Sequence, residues 1–298
     1  MTNKDQNKDD AARSDMSRRD LVALSVAAGI AAATGSVMAA ETPVVETDVE
    51  VKTPDGTCDA AFLHPATGSH PGVLIWPDAF GLRPALRGMG KRLAAEGYAV
   101  LIPNPYYRAG KASTLDLNTA TFSFQNEADM ARLKKLMGGL NAPGAAEKDA
   151  VAFIAYLDAQ RSVNRRKKIG TQGYCMGGPL VFKTAAALPN RVGAGASFHG
   201  GGLVTDQAGS PHLLVPKMKA RFYIGIASND DMRQPDAKDK LKEAFSAAKL
   251  PAEIEVYPTQ HGWCMSDMPA APDKPIYNKA EAERAWSNLL ALYKAALG

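Results

Sequence analysis

The residues best suited to chemistry lie in Gly173-Tyr174-Cys175-Met176-Gly177-Gly178. A nucleophile with glycines two positions before and two after it marks a sharp strand-to-helix turn, which lifts the middle side chain above a sheet. Larger residues at the two glycine positions would collide around such a turn. A helix beginning just past Cys175 presents unpaired backbone N–H groups and the positive end of its dipole. Both favour a thiolate, and both can hold a developing oxyanion. The same residues would suit a structural cysteine in a glycine-rich turn, but the strand before and the helix after favour the nucleophile.

A thiol nucleophile needs a base, and the chain has five histidines. His64 and His70 flank early loops, and His212 lies in a proline-rich connection. His199 opens His199-Gly200-Gly201-Gly202, which has the composition of a lipase oxyanion loop. That motif precedes its nucleophile, whereas this one follows Cys175, so the stretch reads as a flexible strand-end loop. His261 lies in Tyr257-Pro258-Thr259-Gln260-His261-Gly262-Trp263, between the last expected strand and the final helix. The acid must then sit on a loop between Cys175 and His261, giving chain order nucleophile, acid, base. Ser228-Asn229-Asp230-Asp231 supplies it, with Asp230 preferred and Asp231 the alternative. Such a carboxylate fixes the imidazole tautomer and stabilises the imidazolium formed in catalysis.

These side chains need a scaffold, and the periodicity describes one. Val45, Thr47, Val49 and Val51 alternate with polar residues, Pro54-Asp55-Gly56 turns, and Thr57 to Leu63 returns, which predicts an N-terminal hairpin. Gly72 to Trp76 is a continuous apolar run, as in a strand buried on both faces. Further strands are expected over 98–102, 168–173, 193–198, 220–227 and 254–257. Helices are expected over 84–96, 127–137, 145–160, 176–187, 236–249 and 281–296, and residues 104–146 are the least regular part. Strands alternating with helices of this length imply a mostly parallel central sheet covered on both faces. There is no internal repeat and no interdomain linker.

The chain has 298 residues, 46% hydrophobic and 22% charged, with a net charge of +4. That balance excludes a disordered chain, and three cysteines are too few for a disulfide scaffold. No basic run lies in the body of the chain, so nucleic acid is not an expected partner. The N-terminus differs: Ser17-Arg18-Arg19-Asp20 leads into Leu21 to Ala33, thirteen mostly apolar residues. This run is too short for a membrane span, which needs about 20 residues. Small residues follow at Val37-Met38-Ala39-Ala40. A basic head, a short apolar stretch and a small-residue cleavage site describe an export signal. The paired arginines make it resemble a twin-arginine signal, so the translocation machinery for folded proteins is an expected partner. Residues 1–39 are thus expected to be removed near Ala39, leaving residues 40–298 as a periplasmic domain without stable membrane insertion. At least one of Cys58, Cys175 and Cys264 must stay unpaired.

Trp76-Pro77-Asp78-Ala79-Phe80-Gly81-Leu82, Leu93-Ala94-Ala95-Glu96-Gly97-Tyr98, the Cys175 turn and His261-Gly262-Trp263 occur in a consistent order over roughly residues 45–295. Together they resemble the dienelactone hydrolase family, the carboxymethylenebutenolidases. The resemblance implies an α/β-hydrolase fold and a Cys175–His261–Asp230 triad that cleaves an ester or lactone. It also implies an oxyanion hole from the backbone N–H groups of Ala79 and Met176, and no metal or organic cofactor. In that family a carboxylate before the Phe-Gly pair helps to generate the thiolate. The usual residue is Glu, and here it is Asp78. Family members that cleave dienelactone hold its carboxylate with two arginines. Arg108 matches the first, while Cys264-Met265 stands where the second falls. A second reading, an exported scaffold of the same fold without turnover, rests on these two departures.

Overall fold

The computed structural model describes residues 43–115, 117–268 and 275–298. The expected export signal and its cleavage site lie outside the described residues. The elements run β1 (Val44–Thr53), β2 (Gly56–Pro65), β3 (Gly72–Trp76), α1 (Pro84–Ala95), β4 (Ala99–Pro103), α2 (Glu127–Leu140), α3 (Ala145–Ala159), β5 (Ile169–Tyr174), α4 (Gly177–Ala187), β6 (Val192–Phe198), β7 (Arg221–Ala227), α5 (Ser228–Arg233), α6 (Ala237–Ala247), β8 (Ala252–Tyr257) and α7 (Lys279–Leu297). Short 3-10 helices add Ala112–Thr114 and Pro211–Lys217.

One sheet carries all eight strands in the order β1-β2-β4-β3-β5-β6-β7-β8. The hairpin strand β1 pairs antiparallel with β2, and β2 antiparallel with β4, while β4 through β8 are parallel. The chain leaves β3 for β4 on one side and returns to β5 on the other. That reversal is a topological switch point, where open α/β sheets leave a crevice at the carboxyl ends of the strands. Asp78 follows β3 and Cys175 follows β5, so both stand at this crevice.

Every residue of β3 and β4 is buried, which is why their sequences read as unbroken apolar runs. Successive side chains still go to opposite faces. Leu74, Trp76 and Leu101 pack on one face with Phe153 of α3, Val181 and Phe182 of α4 and Phe245 of α6. Val73, Ile75 and Val100 pack on the other with Leu86 and Leu93 of α1 and Leu289 and Tyr293 of α7. Local chemistry sets several helix starts. Pro84 opens α1 with a φ already suited to a helix. The Asn126 side chain accepts from the Ala128 and Asp129 amides, and Asn278 from that of Glu281, capping α2 and α7.

The sequence expectation for the hairpin and the alternating strands and helices agrees with this α/β-hydrolase fold. One difference bears on the site: Asp230 and Asp231 lie in the short helix α5, not on a loop. Thr42–Gly298 forms one compact unit. Among the described residues no helix is long and apolar enough to cross a membrane.

Candidate active site

The turn after β5 is forced by close backbone approach. A Cβ on Gly173 would lie 2.2 Å from the Gly177 carbonyl oxygen, and one on Gly177 would lie 2.3 Å from that of Trp76. No side chain fits at either position, so α4 can fold back directly over β5. Between the glycines Cys175 takes a φ of 51°, a strained conformation for a residue with a Cβ. Its N–H is shared between the Phe198 carbonyl and His199 Nδ1, each at 3.1 Å. Its side chain is half-buried at the crevice.

His261 reaches Cys175 from the segment after β8. The Asn229 side-chain oxygen accepts the His261 backbone N–H at 2.8 Å, and the Ser228 N–H and hydroxyl both donate to the Thr259 carbonyl. These bonds tie the histidine segment to α5. His261 Nδ1 then lies 2.6 Å from Asp230 Oδ2, while Lys238 binds Asp231 at 2.8 Å. The two candidate acids are thus distinguished: Asp230 faces the imidazole and Asp231 faces a lysine. Burial alone would lower the His261 pKa. Hydrogen bonds to Asp230 and the Cys175 sulfur outweigh it and raise the value from 6.5 to about 10.

Asp78 is 1% exposed and fully engaged. Its carboxylate accepts from Arg83 Nη1 at 2.7 Å, Arg83 Nη2 at 2.9 Å and the Phe80 N–H at 2.9 Å. The other edge of the Arg83 guanidinium donates to Asp267 at 2.8 and 2.9 Å. Burial would lower the Arg83 pKa, but the two carboxylates raise it instead. Among the described residues neither the Ala79 nor the Met176 amide donates a hydrogen bond within the protein. The single O–H of buried Tyr106 lies within reach of both the Ala79 carbonyl at 2.8 Å and the Met176 sulfur at 3.2 Å, linking the two residues whose amides the family resemblance implies for the oxyanion hole.

Comparison with known proteins places the chain in a family. Residues 58–297 match the dienelactone hydrolase family. The chain belongs to that family. It is 30% identical to a Methylorubrum extorquens protein assigned as a carboxymethylenebutenolidase, over 94% of this chain and 93% of that one. It is 27% identical to the carboxymethylenebutenolidase of Rhodococcus opacus, over 68% of this chain and 74% of that one. A Klebsiella pneumoniae crystal structure assigned as a dienelactone hydrolase superposes with a TM-score of 0.69 at 20% identity, covering 85% of this chain and 99% of that one. Membership of the dienelactone hydrolase family makes the chain a hydrolase.

Against the family pattern, the expectation for Arg108 needs correction. Its guanidinium donates to both oxygens of Asp149 at 2.8 Å and to Asp55 at 2.7 and 3.1 Å. It also lies over the Tyr107 ring, 4.5 Å from the centroid. With its donors directed at two carboxylates of its own protein, Arg108 is not presented to a substrate carboxylate. The sequence reading passed over Arg83, the arginine that does stand beside Asp78. The signal was present in the spacing, since Arg83 follows Asp78 by five residues in the same turn.

Burial pushes the Cys58 and Cys264 thiols up, keeping both protonated, and all three cysteines are free. Among the described residues no group of His, Cys, Asp and Glu converges as a metal site requires. Phe80 to Arg83, together with Leu115 and Leu117, line a cavity of about 580 Å³ on the Asp78 side. A smaller one, about 120 Å³, lies between the Gly200–Gly202 loop and Asp230.

Proposed function

We propose that this hydrolase cleaves a carboxylic ester or lactone through a covalent acyl-enzyme on Cys175. The Cys175 sulfur attacks the acyl carbon, and the Ala79 and Met176 amides hold the tetrahedral oxyanion. His261, oriented by Asp230, gives its proton to the departing alkoxide. The imidazole then takes a proton from water, the hydroxide attacks the thioester, and the acid leaves as the Cys175 thiolate and His261 imidazolium are restored. Asp78, held by Arg83 and the Phe80 N–H, fixes the turn that presents the Ala79 amide. The observation that carries this reading is the 2.6 Å contact between His261 Nδ1 and Asp230, on a histidine whose other partner is the Cys175 sulfur.

The reading needs no two-arginine clamp on the acyl end, since Arg83 and Arg108 are each already matched by two carboxylates of the protein. Rapid-quench mass spectrometry with a neutral aryl ester tests the mechanism. The wild type should carry the acyl mass on Cys175, and Cys175→Ala should lose both adduct and turnover, by at least about 10³-fold. Turnover retained by Cys175→Ala would overturn it. The domain of residues 40–298 is proposed to act in the periplasm after twin-arginine export. Changing Arg18 and Arg19 to Lys should retain the precursor in the cytoplasm, and undiminished periplasmic protein would exclude that route.

A further inference from the structure

Behind the nucleophile lies a histidine that the hydrolytic reading leaves without a role. His199 is fully buried, immediately after β6, and adopts a φ of 40°. Left-handed backbone is costly for a residue with a side chain and persists only where its surroundings over-determine it. Cys175, in the same strained region, is its hydrogen-bonding partner. The Cys175 N–H, shared with the Phe198 carbonyl, donates to His199 Nδ1 at 3.1 Å, and the Gly201 N–H donates back to the Cys175 carbonyl at 3.4 Å. The His199 N–H is anchored in turn on the Gly225 carbonyl of β7 at 2.8 Å. The two strained residues therefore brace one another across the carboxyl ends of β5 and β6.

Accepting a hydrogen bond requires Nδ1 to be unprotonated, which places the ring proton on Nε2. Nε2 has no hydrogen-bond partner among the described residues. The ring lies 5.0 Å from that of His261 and 5.0 Å from that of Trp263, edge to face, and 6.0 Å from that of Tyr174. The titratable groups facing it are thus Cys175, Tyr174 and His261, with Asp230 bound to the other side of His261 by Nδ1. Burial, reinforced by the neighbouring His261, holds the His199 pKa well below 6.5 and keeps the ring neutral. A second proton would remove the acceptor and place another cation beside His261.

We propose that His199 is a positioning residue whose unprotonated Nδ1 holds the strained Cys175 peptide, so that the sulfur stays in register with the His261 imidazole. The inference rests on Cys175 being the nucleophile. It also explains why this glycine-rich stretch begins with histidine: the site needs a rigid, buried acceptor there, not a mobile loop.

Two substitutions separate acceptor from bulk. His199→Asn keeps an acceptor oxygen near the Nδ1 position, and His199→Phe keeps a ring without one. Iodoacetamide labelling, assigned to Cys175 by peptide mass, is followed against pH, and kcat and KM are measured with a neutral aryl ester. In His199→Phe, kcat should fall about 3- to 10-fold, the range for one lost hydrogen bond, with KM within about twofold. Its labelling midpoint should rise by about half a pH unit, because a displaced sulfur is less well paired with His261. His199→Asn should keep the wild-type midpoint and a kcat within about twofold. A wild-type midpoint and kcat in His199→Phe, or an equal loss in both variants, would overturn the proposal. Labelling needs no turnover, so it separates failure of this inference from failure of the hydrolytic reading, which Cys175→Ala tests.

Discussion

Arg83 and Arg108 each hold two carboxylates, one of them almost fully buried: Asp78 with Asp267 in the first case, Asp149 with Asp55 in the second. The pairing chemistry is the same, and the surroundings differ. Arg108 ties Asp55 in the β1–β2 turn to Asp149 on α3, with Tyr107 and Thr53 joined to the same network. It fastens the hairpin to the body of the domain. Arg83 lies at the switch point, where its carboxylate partner Asp78 leads into the Ala79 amide. A buried ion pair by itself therefore does not mark a functional site. Both clusters lie beyond the carboxyl ends of parallel strands, and what separates them is that Arg83 stands at the switch point between β3 and β5.

A third charged pair, His261 with Asp230, sharpens the contrast because its cation can lose its proton. Asp230→Asn should have the largest effect, lowering kcat about 10³-fold by removing the group that fixes the tautomer. The His261 midpoint, followed by NMR, should fall from about 10 towards 6.5. The sign for stability follows from the raised value. The wild-type pair stabilises the fold fully below pH 6.5 and loses that contribution as pH rises through about 10. Urea titrations should show the deficit of Asp230→Asn shrinking over that window, and a constant deficit would argue against the charged pair.

Asp78→Asn should come next, lowering kcat/KM about 10-fold to 10²-fold by loosening the Arg83 pair and with it the turn that presents the Ala79 amide. Arg108→Ala should have the smallest effect on activity, with kcat/KM of the folded protein within about threefold. Its cost should appear in stability, about 3–5 kcal/mol in urea unfolding, because Asp149 is left buried without its cation. Activity lost in Arg108→Ala at unchanged stability would break the distinction between the two clusters. It would return Arg108 to the substrate pocket.

The sequence by itself determined the fold class and singled out Cys175 and His261, the pair on which the proposed function rests. A five-residue unbroken apolar run such as Gly72–Trp76 suits a strand covered on both faces, and the glycines around Cys175 stand where an added Cβ would fall 2.2–2.3 Å from a backbone oxygen. These are local properties, set by neighbouring residues along the chain. Only the tertiary structure decided between Asp230 and Asp231, which are adjacent and chemically identical. The orientation of α5 turns one to His261 and the other to Lys238. It likewise directed Arg108 at Asp149 and Asp55 and Arg83 at Asp78, and it set His199, at the head of its strand-end loop, against the Cys175 N–H. In each case the deciding contact joins segments far apart in sequence, and no local periodicity records which way a side chain points once those segments meet.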